Sequence, residues 1–79
     1  MIVYKQKFIR YVKRVDVYVL YDTKKMRKYI VNGESYQIID SIINSENCSK
    51  KIDLDKINPK TKLYLMNLIE NRILGTIEE

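Results

Sequence analysis

The chain has 79 residues, 46% of them hydrophobic, a net charge of +5, no histidine and one cysteine. A chain of this size buries only about 60% of the surface it exposes when unfolded, which fits one domain and argues against a deep catalytic cavity. The lone Cys48 excludes an intramolecular disulfide framework and, with histidine absent, removes the usual zinc ligand sets, so a reducing, cytoplasmic setting is expected.

Met1 to Val12 is rich in β-favouring residues and reads as one strand, with Val3, Lys5, Lys7, Ile9 and Tyr11 on one side. Val15 to Tyr21 is the clearest period-two segment: Val15, Val17, Val19 and Tyr21 alternate with Asp16, Tyr18 and Leu20. Asp22-Thr23-Lys24-Lys25 is short and polar, and an aspartate there can bond the amides ahead of it, so a hairpin is predicted. The returning strand, Met26 to Val31, puts Arg27, Tyr29 and Val31 on one face and Met26, Lys28 and Ile30 on the other.

Asn32 is a suitable N-cap for a helix starting at about Gly33, with Glu34 at its positive end. Tyr36, Ile39 and Ile43, flanked by Ile38 and Ile42, form its apolar stripe. Residues 44–49 are a polar break, and Asp53 to Ile57 allows either a helix of about one turn or a loop. Asn58-Pro59 is a strong helix start, Lys60 to Leu74 contains no breaker, and Gly75 is placed to cap the end. Leu65, Leu68, Ile69 and Ile73 give this helix its buried stripe; Leu63, Tyr64, Met66 and Leu74 widen it beyond one face. No repeat, linker or low-complexity segment divides residues 1–79, so a single domain is expected.

Charge is uneven along the chain. Residues 1–31 carry nine lysines and arginines against Asp16 and Asp22, a net of +7, while residues 32–79 carry six against eight carboxylates, a net of −2. The basic half raises the local concentration of acidic partners, or is simply a solvated surface. No stretch approaches the roughly 18 apolar residues of a membrane span, and the opening MIVYKQKFIR lacks the apolar centre of a secretory signal; a mature, soluble chain is expected. Without histidine, and with carboxylates on polar faces or helix ends, no acid/base pair suggests catalysis. Two glycines cannot build a phosphate-binding loop, and Asp53 and Asp55 read as capping and solvated residues rather than metal ligands. No enzyme activity, cofactor or metal is expected.

The segment "VYVLYDTKKMRKYIVNGESYQIIDSI", followed near the end by "LYLMNLIENRILGTI", resembles the PqqD-like precursor peptide recognition elements. These are leader-binding domains of pathways that make ribosomally synthesised, post-translationally modified peptides. In that pattern a hairpin ends in a hydrophobic residue and Asn, here Val31 and Asn32, and paired aliphatics follow in the helix, here Ile38 and Ile39. Arg72 stands where the pattern commonly has glycine, the middle helix is shortened to IDLDKI, and Tyr36 is bulkier than usual.

The resemblance implies an α+β, winged-helix-like fold: a three-stranded antiparallel sheet followed by two or three helices. It implies that a precursor leader docks as an added strand on the third strand, with the last helix as the second wall of the groove. The strand wall is then Lys25, Met26, Arg27, Lys28, Tyr29 and Ile30, and the helix wall Leu63, Tyr64, Met66, Asn67, Glu70 and Asn71. The implied partners are the precursor and a separate modifying enzyme or protease. The competing expectation is a small basic nucleic-acid-binding protein or regulator that uses the hairpin as a wing.

Overall fold

The structure, a computed structural model, describes residues 1–78. Where one strand is expected before Val15 there are two, β1 (Ile2–Lys5) and β2 (Ile9–Arg14), followed by β3 (Val17–Asp22) and β4 (Arg27–Asn32). Strands β2, β3 and β4 form an antiparallel sheet with β3 in the middle; Val12 lies opposite Val19, and Val19 opposite Ile30. Val15 and Asp16 form the turn between β2 and β3, so β3 starts later than its alternation suggests, with Asp16 left-handed at φ 61°. At the next hairpin the Asp22 carboxylate accepts from the amides of Lys24 and Lys25 at 2.9 and 3.0 Å, the role expected of it.

Strand β1 leaves this sheet at a turn through Gln6, Lys7 and Phe8. There the Lys5 ammonium donates to the carbonyls of Gln6 and Ile9 at 3.1 and 2.8 Å, holding the chain in its new direction. It becomes the middle strand of a second antiparallel sheet, between β5 (Ser49–Lys51) and β6 (Leu74–Ile77). The winged-helix-like plan of one three-stranded sheet and two or three following helices is therefore incorrect. Among the described residues the fold is α+β with two antiparallel three-stranded sheets and two α-helices, α1 (Glu34–Ile43) and α2 (Pro59–Glu70). Asp53 to Ile57, open between helix and loop, contains a 3-10 turn at Leu54–Lys56.

Helix α1 joins the two sheets because its wide stripe touches both, packing on β3 and β4 of one and β1 and β5 of the other. Its Ile39, Ile42 and Ile43 share one core with Val3, Ile9, Leu20 and Val31 from the strands and Leu65 and Leu68 from α2. Each such side chain contributes about 1.5–3 kcal/mol on burial. Asn32 does not cap α1, since it is the last residue of β4 and pairs with Val17. The cap position is Gly33, at φ 62° and ψ −139°, a conformation that essentially requires glycine. The Asn58 cap is as expected: its side chain accepts from the Lys60 amide at 2.8 Å, with Pro59 beginning the helix.

Helix α2 ends four residues before the predicted Leu74 because Asn71 and Arg72 close it. Arg72 is left-handed at φ 61°, and the amides of Arg72 and Ile73 donate back to Ile69 and Leu68 at 3.0 and 2.9 Å, a Schellman ending. Gly75 is released from capping and sits in β6 beneath the Tyr4 ring, where a Cβ would collide with that ring. Arg72→Gly removes the cost of a side chain in the left-handed region and is expected to raise stability by about 1 kcal/mol, read from the denaturation midpoint.

A polar network ties the inner face of the first sheet to α1. The buried Tyr18 hydroxyl donates to Asp40 at 2.5 Å, Lys13 pairs with the same carboxylate at 3.2 Å, and the Tyr36 ring lies 5.2 Å from that of Tyr18. The Tyr18 hydroxyl, and then Lys13, hold the Asp40 carboxyl below its ordinary value, while burial, and then Asp40, push the Tyr18 phenol up. A depressed carboxyl contributes fully above its unfolded value, about 3.9, and that contribution is lost as pH falls through the lower folded value. Stability should therefore decline in acid below about pH 4, and Asp40→Asn should flatten that part of the curve in parallel denaturant titrations.

Candidate peptide-binding edge

The strand order leaves β4 with one unpaired edge. In an antiparallel ladder alternate residues turn both backbone groups away from their partner strand. The Ile30 carbonyl accepts from the Tyr64 hydroxyl of α2 at 3.4 Å, which assigns the outward set to Lys28, Ile30 and Asn32. At the hairpin end, the Lys25 ammonium donates to the Asn71 carbonyl at 3.3 Å. Tyr64 beside Ile30 and Asn71 beside Lys25 make α2 run antiparallel along this edge. The two elements meet through side chains rather than close backbone packing.

Several apolar side chains on these two elements are not used by the core. Met26 is 87% exposed and Ile30 58% on the strand side; Leu63 is 72% and Met66 45% exposed on the helix. Arg27 and Lys28 are exposed on the strand, and Glu70, the last residue of α2, is exposed on the helix. Asn71 ties itself to Asn67, donating to its carbonyl at 2.9 Å, so this pair closes the helix end. Burial raises the Tyr64 phenol above its ordinary value.

Four of the expected wall residues are placed differently: Lys25 lies in the hairpin turn before β4, Asn71 is the cap residue beyond the end of α2, and Met26 and Tyr29 also depart from the expected wall. Met26 belongs to the hairpin turn, left-handed at φ 56°, rather than to the strand. Tyr29 packs against the core opposite Leu20, and its hydroxyl is buried without a hydrogen-bond partner. Arg27, Lys28 and Ile30 lie in β4, and Leu63, Tyr64, Met66, Asn67 and Glu70 lie on α2. The opposite edge of this sheet, β2, carries Arg10, Lys13 and Arg14, packs chiefly on β3, and meets α1 through the Lys13–Asp40 ion pair. Charge on an edge strand discourages pairing with another chain, and β4 has exposed apolar side chains, Met26 and Ile30, close to it.

No family model, curated protein or solved structure matches this chain. No helix among the described residues is long and apolar enough to cross a membrane.

The edge is chemically suited to β-augmentation, in which an extended segment completes the outward amides and carbonyls of a strand. Backbone bonds net only about 1 kcal/mol each against an association cost of roughly 4–15 kcal/mol, so side-chain pockets must supply the remainder. Met26 and Ile30 on the strand side and Leu63 on the helix present such apolar surface, and methionine adapts readily to varied ligands. At 3.4 Å the Tyr64 bond to Ile30 is long, leaving that carbonyl open to competition from a peptide amide. Sequence reasoning missed the outer face of the first sheet, where the registers align Arg10, Tyr21 and Lys28 in one row and Val12, Val19 and Ile30 in the next.

Proposed function

We propose that this chain is a non-catalytic peptide-binding module that takes an extended, acidic segment as an added strand on β4, against α2. In the form suggested by the PqqD-like resemblance, that segment is the leader of a ribosomally made precursor. The module then holds the leader in the cytoplasm while a separate modifying enzyme or protease acts on the core. The observation carrying this reading is the unpaired β4 edge with exposed apolar side chains on the strand and on the helix beside it. The order β3, hairpin, β4, Asn32, α1 and the late helix α2 agree with the pattern behind the resemblance, although the second sheet lies outside it.

Titration with acidic leader peptides encoded near the gene tests the proposal, and failure to reach saturable binding at high micromolar concentration would sink it. Reversing Arg27 and Lys28 together to glutamate is expected to weaken an acidic leader by about tenfold at low salt, with the difference shrinking as salt screens the exposed charges. An unchanged affinity would remove the electrostatic part of the proposal.

The second reading, a small nucleic-acid-binding protein, is favoured by one observation: Arg10, Arg14 and Lys28 share the open face of the first sheet with the exposed Tyr21. A duplex and a single-stranded oligonucleotide across a salt series separate the readings, because phosphate contacts lose affinity steeply with salt. Absence of binding at low salt would remove it.

A further inference from the structure

A second concave surface shares no residue with the β4 edge. It is an open cleft of about 670 Å3, lined by ten residues from four separate parts of the chain. Its floor is the outer face of the second sheet, where Ile2 lies opposite Ile77 and Tyr4 opposite both Gly75 and Ser49. Gly75 leaves room for the Tyr4 ring to lie flat over the neighbouring strand. Phe8, from the turn that separates the two sheets, forms a wall, and the Lys24 ammonium stands 4.4 Å from the centre of its ring.

Charge contributed to this cleft by the described residues has one sign. Among the described residues Lys5, Lys7 and Lys24 contribute to the lining and no carboxylate does; Glu46 and Glu78 are each adjacent in sequence to a lining residue but outside it. The Lys5 ammonium is fixed in place by the carbonyls of Gln6 and Ile9, so this cation is positioned before any ligand arrives. Asn47, on the rim, is left-handed at φ 58° and is followed by Cys48 at φ 51°. Consecutive non-glycine residues in that region carry backbone strain of the kind concentrated at functional sites.

Apolar, partly aromatic surface with a few placed charges, in a volume within the usual range of about 300–1,000 Å3, is the general character of a small-molecule site. We propose that this cleft binds a small organic anion with a flat apolar body, of which an aryl carboxylate is the simplest form. The ring system lies against Tyr4 and Phe8, and the anionic group faces the lysines. A neutral ligand would leave the three ammonium groups without a counter-charge, whereas a compact inorganic anion would leave the apolar floor wet.

The test follows amide resonances of the intact chain by NMR during titration with 2-naphthoate, and with the uncharged 2-naphthalenemethanol at matched salt. Saturable shifts are expected at Tyr4, Phe8, Ser49 and Ile77 for the carboxylate, with the alcohol binding about tenfold more weakly, equivalent to about 1.4 kcal/mol. Replacing Lys7 and Lys24 together by glutamine should remove most of that preference while leaving the alcohol's affinity unchanged. Both lysines are exposed, so the variant is expected to fold, and its amide spectrum checks that directly. Gly75→Ala, which displaces the Tyr4 ring, should weaken both ligands. The proposal is overturned if no saturable shifts appear at low-millimolar ligand, if they map to β4 and α2 instead, or if acid and alcohol bind equally.

Discussion

Leu65→Ala is expected to lower the free energy of unfolding by about 2–5 kcal/mol, the range for deleting a large aliphatic side chain from a packed interior. Leu65 is fully buried in the core that both sheets share, beside Ile39, Ile42 and Leu68. In a 79-residue chain there is little alternative packing to absorb the cavity. Since small domains hold only about 5–15 kcal/mol in total, a large fraction of the native population should be lost, read as a lower denaturation midpoint at unchanged slope. Leu63→Ala, two residues away on the exposed side of α2, should move the midpoint very little. Equal losses for the two substitutions would contradict the orientation of α2.

Lys28→Pro is expected to abolish measurable binding of an extended peptide ligand while leaving the sheet assembled. Lys28 belongs to the set whose backbone groups face away from β3, so proline there removes an outward donor and no bond of the β3 ladder. Its ring also obstructs the approach of an added strand. Lys28→Ala is the control for lost charge and is expected to weaken an acidic peptide by only a few fold. Proline at Tyr29 would act differently, because that residue faces β3 and packs on the core; there the loss should be of stability. Unchanged peptide affinity in Lys28→Pro would exclude strand addition at β4.

Local patterns in the sequence were sufficient where an element satisfies its own needs. The alternation through β3, the Asp22 turn, the α1 stripe and the Asn58-Pro59 start all concern neighbours a few residues apart. What was not legible depends on partners far along the chain. The break at Gln6 to Phe8 contains neither glycine nor proline, and it follows from β1 pairing with strands more than 40 residues away. Strand β5 has three residues, one half-buried and two exposed, too few for a periodic signal.

The end of α2 was concealed by a residue type. A left-handed cap is normally announced by glycine, and here Arg72 supplies it, so the nearest glycine, Gly75, drew the predicted boundary beyond its true place. Beside β4, the sequence pattern itself offered only the excess of apolar residues on α2, of which Leu63 and Met66 are exposed; the strand and helix walls came from the family resemblance. The inward turn of Tyr29 is fixed by its register with Leu20, which sequence alone did not weigh against its place in the wall. The basic cleft was not legible at all, since Ile2, Phe8, Lys24, Asn47 and Ile77 share no local pattern.

The central claim is that β4 accepts an added strand, and hydrogen exchange at its outward amides tests it most directly. On titration with an acidic leader peptide, exchange at Lys28 and Ile30 should slow in proportion to occupancy, while Tyr29 and Val31, already turned toward β3, should change little. Saturable binding that leaves Lys28 and Ile30 exchanging at their free rates would contradict the account.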